Sequence, residues 1–337
     1  MKKSVVALVL VSLLLAGSVL AQTAPSLYKQ VNKFAIGGEG GWDYITYDAS
    51  GNRLFVAHGS VIEVLDADTG KKLGQVPATG AHGVAVVPDE NLGFSTNGRA
   101  GTVTVFDLKT LKPQTDIKAG ENPDAILYDP YSKNVIVMNG RSKDIMAIDP
   151  STLKVAATVP LGGKLEGAAA APGHVYVNVE DAGEIADVDS KTWKALAHWK
   201  LEGCEEPSGL ALDEKVGHLF AVCGNAKMAV VDAKSGKVLA LLPTGQGTDG
   251  AAYDPSLKSA FASNGEGTLT VVRPSKDGSY QVAANVPTQR SARTIAVDPK
   301  SHRVFLPAAE FGAPPAAGQR PSIVPDSFCV LVFGPVK

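Results

Sequence analysis

The chain is poor in cysteine, in aromatic residues and in net charge. Its 337 residues contain 3 Cys, 6% aromatic residues, and 32 Lys and Arg against 34 Asp and Glu. Three cysteines cannot build a disulfide-rich scaffold, and the absence of a basic excess argues against binding to nucleic acid. An apolar content of 45% together with the mild charge excludes an intrinsically disordered chain.

Hydrophobic stretches of membrane-spanning length are also absent. The longest apolar run, residues 5–15, is shorter than the roughly 20 residues that cross a bilayer as a helix. It follows two lysines and precedes small residues, which predicts a secretory signal peptide over residues 1–21 with cleavage between Ala21 and Gln22. We therefore expect a periplasmic or secreted protein without a membrane span. The alternative is an uncleaved N-terminal anchor.

Residues 22–337 contain seven copies of one pattern: a polar residue, a small residue, an apolar run and a turn. Examples are NPDAILYDPYSKNVIVMN and TDGAAYDPSLKSAFASN. The polar residues at the matched position are 39 to 44 residues apart. A period near 40 residues, built from short strands, is typical of a β-propeller. We predict a single all-β domain over residues 22–337, with seven blades of four strands each.

The two ends of the chain predict how the ring closes. The seventh copy stops after its third strand, at residues 328–333, whereas residues 27–36 have the pattern of a fourth strand without a partner before it. Pairing these segments would close the ring and cover two free strand edges. The last copy also contains a Pro-rich insertion, residues 312–327. We expect this insertion either to cover the channel or to be a solvated loop.

The strand ends carry a further pattern. The second strands end in tetrapeptides such as FSTN, IVMN and FASN, and the third strands end in Asp before a TG or KT turn. In these features the chain resembles the YVTN-repeat β-propeller family, and YncE-like proteins in particular, although no copy matches the name letter for letter. The resemblance covers essentially all of residues 22–337. It implies the fold and leaves the activity open, because related propellers are binding proteins, lactone hydrolases or cofactor-bearing oxidoreductases.

Polar residues are predicted to surround one mouth of the central channel. First strands line the channel of a propeller, and their starts lie on the same rim as the ends of the second strands. His58 and Glu310 follow or end second strands and are therefore candidate ligand-binding residues on this rim. The matched residues that start the first strands are Asp43, His82, Asp124, Glu166, Ser208, Asp249 and Arg293.

Three interpretations of this polar ring are open. Its side chains could be solvated or could pair with neighbours across blades. They could bind a divalent cation, since carboxylates suit Ca²⁺ and an added imidazole admits Zn²⁺. Alternatively, Arg293 could hold an anionic ligand without a metal. The candidate metal ligands are Asp43, His82, Asp124, Glu166 and Asp249.

Sequence motifs of known enzymes are absent. The chain has no GxSxG, no HExxH and no CxxCH motif. We therefore expect a monomeric, non-enzymatic propeller that binds a small ligand, a metal ion or a protein partner at the channel rim. A metal-dependent, lactonase-like hydrolase is the alternative function, and a purely structural docking module is a third.

The cysteines predict one disulfide. Cys204 and Cys223 flank the inner hairpin of the fifth copy, and neighbouring cysteines tend to pair in an oxidising compartment. Pairing Leu212 with Leu219 places Ser208 opposite Cys223, so Cys204 lies four residues out of register and its loop must fold back. We still predict a Cys204–Cys223 disulfide, with the remaining cysteine as a buried thiol.

Overall fold

Antiparallel β-strands form almost all of the regular structure. The computed structural model describes residues 27–314 and 321–336, so the predicted signal peptide and part of the Pro-rich insertion lie outside the described residues. The strands form seven sheets of four strands, arranged as the blades of a β-propeller. The predicted fold class is thus confirmed. Helical structure in the described ranges is limited to one 3-10 turn, Pro88–Glu90, and no helix there could cross a membrane.

Twenty-eight strands make up the blades. The chain begins with β1 (Tyr28–Ala35). Blade 1 comprises β2 (Trp42–Asp48), β3 (Arg53–His58), β4 (Val61–Asp66) and β5 (Lys72–Pro77). Blade 2 comprises β6 (Ala81–Val87), β7 (Leu92–Asn97), β8 (Thr102–Asp107) and β9 (Pro113–Lys118). Blade 3 comprises β10 (Pro123–Asp129), β11 (Asn134–Asn139), β12 (Asp144–Asp149) and β13 (Lys154–Pro160).

The remaining blades follow the same order, with the innermost strand first. Blade 4 comprises β14 (Leu165–Ala171), β15 (His174–Val179), β16 (Glu184–Asp189) and β17 (Lys194–Lys200). Blade 5 comprises β18 (Pro207–Asp213), β19 (His218–Cys223), β20 (Lys227–Asp232) and β21 (Val238–Pro243). Blade 6 comprises β22 (Thr248–Asp254), β23 (Ser259–Asn264), β24 (Thr268–Pro274) and β25 (Tyr280–Pro287). Blade 7 comprises β26 (Ala296–Asp298), β27 (Arg303–Ala308), β28 (Cys329–Pro335) and β1.

Burial within a blade depends on the position of the strand. The second and third strands are buried on both faces, as in β11, where five consecutive residues from Val135 to Asn139 are buried. Both faces are covered because each blade lies between two neighbours, and the hydrophobic clusters accordingly join adjacent blades. The outermost strands are largely exposed, as in β9. The core is therefore a ring of apolar layers between the blades.

The turns after the third strands are fixed by the aspartates that end those strands. The carboxylate of Asp107 accepts hydrogen bonds from the backbone N–H groups two and three residues later, at 2.9 and 2.6 Å. Asp189 repeats this arrangement at 2.8 and 2.7 Å. Such Asx turns replace backbone hydrogen bonds that the strand end would otherwise lack. The Asp-containing turn signal of the sequence therefore has a direct structural cause.

Ring closure occurs as predicted. Strand β1 pairs antiparallel with β28, from Tyr28 opposite Pro335 to Ala35 opposite Cys329. Tyr28 is 0% exposed and Phe34 is 4% exposed, so this strand also anchors two large side chains in the core. The N-terminal strand thus completes blade 7, and the missing fourth strand of the last repeat is supplied from the other end of the chain.

Candidate functional site

A β-bulge in the innermost strand positions the polar ring. In blade 1, Trp42 pairs with His58 but Ile45 pairs with Val56, so one extra residue lies between them. The innermost strands of blades 2 to 6 have the same irregularity at the same level. A bulge bends its strand and redirects side chains at the edge of a sheet. Six ring residues lie in these bulges: Asp43, His82, Asp124, Glu166, Ser208 and Asp249.

Hydrogen bonds between blades hold the ring residues in place. The backbone carbonyl of Asp43 accepts a hydrogen bond from the hydroxyl of Thr294 at 2.8 Å, and that of Arg293 accepts one from Ser263 at 2.6 Å. The hydroxyl of Ser208 donates to the carbonyl of Asp249 at 3.1 Å. Ser208 is therefore engaged in fastening blade 5 to blade 6. Neighbouring blades thus share hydrogen bonds at the rim.

Small residues follow the ring residues in six blades, because the innermost strands approach each other closely. A Cβ atom at Gly209 would lie 2.5 Å from the backbone nitrogen of Ala251, and one at Gly167 would lie 2.6 Å from the carbonyl oxygen of Ser208. Contacts that short do not occur for real Cβ atoms. The small residues at this position are Gly83, Ala125, Gly167, Gly209, Gly250 and Thr294.

Blade 1 has Tyr44 at this position, and its side chain crosses the channel. The Tyr44 hydroxyl donates to Oε2 of Glu166 in blade 4 at 3.4 Å, and its ring packs against the hydrophobic cluster of blades 3 and 4. Burial, and then the surrounding carboxylates, raise the pKa of Tyr44 well above its ordinary value, so it is a neutral phenol. Tyr44 borders two cavities: an acidic one of about 250 Å³ at the mouth and an apolar one of about 180 Å³ in the channel.

His82 lies between two carboxylates of neighbouring blades. Its Nδ1 is 2.5 Å from Oδ2 of Asp43 and 3.4 Å from Oδ1 of Asp124. Burial disfavours the imidazolium, but the hydrogen bond to Asp43 and the charge of Asp124 outweigh burial and raise the pKa of His82 above 6.5. One ligand atom from each of the three residues lies within 4.8 Å of the others. This group, which we call the triad Asp43–His82–Asp124, has the composition of a metal site.

Arg293 occupies another part of the ring. Its guanidinium forms an ion pair with Asp249, lies 3.7 Å from Oδ1 of Asp43, and donates to the carbonyl of Trp42 at 3.3 Å. Burial raises the pKa of Asp249, with Arg293 acting against the shift. Arg293 is thus already engaged with protein acceptors, and an anionic ligand would have to compete with two carboxylates for it.

Lys164 neutralises a third part of the mouth. Its Nζ lies 2.9 Å from Oε1 of Glu166 and forms a second ion pair with Glu180. Burial, and then repulsion from Asp124, nevertheless raise the pKa of Glu166 to about 7. Burial likewise raises the pKa of Asp124 to about 6, against the influence of nearby His82. The mouth therefore holds more carboxylates than its cations neutralise.

Two predicted rim residues lie away from this cluster. His58 is 4% exposed, and its ring stacks on Phe328 at a centroid distance of 4.0 Å. Burial lowers its pKa. Glu310 is on the outside, where its carboxylate lies 3.9 Å from Nζ of Lys33 in the outermost strand of blade 7. Neither residue borders the acidic cavity.

Sequence reasoning missed Tyr44 and Lys164. A signal for Tyr44 was present, because the sequence has a small residue after each of the other ring residues. No comparable signal identifies Lys164, which lies two positions before Glu166 and is one of many lysines. Its role depends on the position of Glu180, a residue that follows the second strand of the same blade.

The cysteines of blade 5 form a disulfide. The Cα atoms of Cys204 and Cys223 are 5.3 Å apart, and their Sγ atoms are bonded. Pro207, rather than Ser208, lies opposite Cys223, because the bulge shifts the register by one residue. The loop before β18 does fold back, which brings Cys204 into contact. Cys329 is a buried free thiol, and burial raises its pKa.

Comparisons with known proteins support the fold. A chain of hydrazine synthase from Kuenenia stuttgartiensis superposes with a TM-score of 0.67 at 18% identity, covering 86% of this chain and 97% of that chain. A structure described as U3-55K superposes with a TM-score of 0.74 at 11% identity, covering 91% and 98%. At these identities the likeness shows the fold alone.

Sequence comparison identifies the family. No curated protein matches the chain, and the resemblance to YncE-like proteins is not confirmed by the matches. A family model, PQQ_2, described as outer membrane protein assembly factor BamB, matches residues 57–301, which run from the end of the second strand of blade 1 through blades 2 to 6 to the innermost strand of blade 7. The chain therefore belongs to this BamB-like family of β-propellers.

Proposed function

We propose that the protein is an exported, monomeric, YncE-like propeller that binds a divalent transition-metal ion at its channel mouth and is not itself an enzyme. The observation that supports this proposal is the triad Asp43–His82–Asp124, with its ligand atoms within 4.8 Å of one another. Membership of a BamB-like family is consistent with a binding function.

The donor set determines the class of ion. One imidazole nitrogen and two carboxylate oxygens suit Zn²⁺ and similar ions, whereas Ca²⁺ prefers a shell of oxygen ligands alone. The ion would replace the proton that His82 shares with Asp43. It would also relieve the repulsion between the Asp124 carboxylate and the carboxylates around it. Glu166 and Asp249 are already paired with Lys164 and Arg293, so we place them around the ion rather than on it.

Zinc titration of the purified protein tests this function. After chelator treatment and dialysis, isothermal titration calorimetry at pH 7.5 should show one Zn²⁺ bound per chain. Asp43→Asn, Asp124→Asn and His82→Gln should each weaken binding by tenfold or more, because each removes one of three ligands. His302→Gln is the matched control: His302 also pairs with a carboxylate, Asp254 at 2.8 Å, and is 28% exposed against 27% for His82.

The calorimetric result has a definite negative outcome. The proposal fails if the wild-type chain binds no zinc, or if His82→Gln and His302→Gln lower the affinity equally. In that case the carboxylates and cations of the mouth form only a network of ion pairs between blades.

A hydrolase is the second candidate, and one feature favours it. Three protein ligands leave a fourth position on a tetrahedral ion open, as in catalytic zinc sites, and the acidic cavity of about 250 Å³ lies beside the triad. Incubating the zinc-loaded protein with a γ-lactone separates the two candidates. Turnover that disappears in His82→Gln would support the hydrolase, and no turnover above that of free zinc would support binding alone.

Export is a proposal of its own. The apolar run at residues 5–15 and the small residues before Gln22 support it. Expression of the full chain in a bacterium with two membranes should release, on osmotic shock, a monomer whose N-terminus is Gln22 by mass spectrometry. Recovery of the chain in the membrane fraction, with residues 1–21 still attached, would favour the uncleaved anchor.

A further inference from the structure

Blade 7 departs from the repeat at its rim. Its innermost strand β26 has three residues, whereas the innermost strands of the other blades have seven. The chain before β26, residues 289–295, therefore does not pair with β27 as its counterparts do. In addition, the connection from β27 to β28 is about 20 residues long and turns back over the rim, where Phe311 bridges to Ile323.

These departures leave a cavity between blades 6, 7 and 1. It has a volume of about 560 Å³, within the range of small-molecule sites. We call it the seam cavity. The residues that border it and matter for its chemistry are Trp42, Arg290, Ser291, Arg293, Phe311 and Ile323.

Aromatic side chains form one wall of the seam cavity. The rings of Trp42 and Phe311 are 6.0 Å apart and inclined by 42°. Trp42 is supported from behind by Phe328 at 5.5 Å. Phe311 is 40% exposed, whereas the other nine phenylalanines are at most 4% exposed. A flat apolar ligand would cover this exposed face.

One cation without a partner among the described residues borders the same cavity. The guanidinium of Arg290 is exposed and forms no hydrogen bond or ion pair within residues 27–314 and 321–336. The indole Nε1 of Trp42 is buried and finds no acceptor in those ranges. Arg293, by contrast, is paired with Asp249. Because the Trp42 N–H is buried, a ligand in this cavity meets one free cation, Arg290, and no carboxylate of the described ranges borders the cavity.

The backbone next to Arg290 is held in a strained conformation. Ser291 has φ of 83°, a region that residues other than glycine rarely adopt. Its hydroxyl donates to the carbonyl of Ala309 at 2.9 Å and accepts from the N–H of Ala309 at 3.2 Å. The fold therefore fixes the segment that carries Arg290 against the long connection that carries Phe311.

We propose that the seam cavity binds a small aromatic carboxylate of one or two rings. The rings of the ligand lie against Trp42 and Phe311. Its carboxylate forms a charge-assisted ion pair with Arg290 and so provides the anionic partner that this guanidinium lacks within the described residues. The site is separate from the triad Asp43–His82–Asp124 and does not require a metal ion.

Calorimetric titration with 2-naphthoate in the presence of EDTA tests the proposal. We expect saturable binding of one molecule per chain with a dissociation constant of about 1 mM or tighter. Arg290→Gln should weaken binding by about tenfold, and Phe311→Ala should weaken it as well. Arg141→Gln is the matched control, since Arg141 is exposed on the rim of blade 3 and has no side-chain partner within the described ranges.

A neutral analogue, 2-naphthylmethanol, isolates the contribution of the charge. Weaker binding of the alcohol to the wild-type chain, and equal binding of the alcohol to wild type and Arg290→Gln, would support the proposal. The proposal is overturned if 2-naphthoate does not bind the wild-type chain, if Arg290→Gln and Arg141→Gln have the same effect, or if acid and alcohol bind equally. Both arginines are exposed, so none of these results depends on a change in folding.

Discussion

The channel mouth should make the metal-free protein less stable as the pH rises from about 4 to 8. Burial raises the pKa of Asp124 from 3.8 to about 6, and burial with repulsion from Asp124 raises that of Glu166 from 4.5 to about 7. Each of these differences in pKa between the folded and unfolded states corresponds to about 3 kcal/mol. Because the two groups repel each other, their contributions overlap, and together we expect about 3–5 kcal/mol.

The sign follows from proton binding. A carboxyl group whose pKa is higher in the folded state binds its proton more tightly there, so folding is favoured at low pH and this advantage is lost as the pH rises through 4 to 7. The raised pKa of His82 acts in the same direction, at somewhat higher pH. The aspartates of the turns, such as Asp66 and Asp107, have lowered pKa values and oppose the trend only below about pH 4. The lowered pKa of buried His58 also opposes the trend, up to its ordinary value of 6.5, but it is one group against the three of the mouth.

Guanidinium denaturation followed by circular dichroism, in EDTA at pH 5, 6, 7 and 8, measures this effect. Asp124→Asn should raise the free energy of unfolding by about 1–3 kcal/mol at pH 8 and change it little at pH 5. Asp89→Asn, at an exposed carboxylate outside the mouth, should leave the pH profile unchanged. The reasoning is refuted if wild-type stability rises from pH 5 to pH 8, or if Asp124→Asn keeps the wild-type profile.

Three further predictions concern the scaffold, and denaturation curves test all of them. Phe34→Ala should lower the free energy of unfolding by about 3–5 kcal/mol, because Phe34 is 4% exposed in the closing strand β1. Val31→Ala, at a 51% exposed position of that strand, should change it by no more than about 0.5 kcal/mol. Equal effects of the two variants would contradict closure by β1. Replacing Cys204 and Cys223 by Ser should cost about 3 kcal/mol in the chain-entropy model. Three alkylatable thiols in protein purified without a reducing agent would show that the bond does not form. Gly209→Ala should cost about 1–3 kcal/mol, since its Cβ would lie 2.5 Å from a backbone nitrogen of the next blade.

The sequence was sufficient to predict the fold because the repeat is both local and complete. Each copy contains its own strand and turn signals. Pairing of the two terminal segments is the arrangement that leaves neither terminal strand edge free. The unpartnered residues 27–36 therefore predicted the pairing of β1 with β28. The bulges were not predicted, because an extra residue in one strand is visible only against the register of its partner.

The site was predictable in its composition and not in its contacts. Alignment of the repeats places Asp43, His82 and Asp124 on consecutive blades, and the structure brings them together. Which side chain fills the channel depends on its diameter and on rotamers, so the contact of Tyr44 with Glu166 across the ring could not be predicted. The sequence also offered no means of separating Glu310, on the outside, from the residues at the mouth.

Departures from the repeat are concentrated where blades 7 and 1 meet. Equivalent positions in the blades have equivalent surroundings. The small residue that follows the ring residue in six blades would therefore also fit in blade 1. Tyr44 replaces this small residue with a buried phenol, Arg293 places a guanidinium among carboxylates, and β26 has three residues where the other innermost strands have seven. Each change buries polar groups or forgoes backbone hydrogen bonds, which costs stability unless another interaction compensates. Part of the compensation is visible in the structure: the Tyr44 ring packs on the hydrophobic cluster of blades 3 and 4, and Arg293 pairs with Asp249. The contacts of the acidic mouth therefore compensate for Tyr44 and Arg293, and the seam cavity adjoins this mouth at Arg293, which borders both.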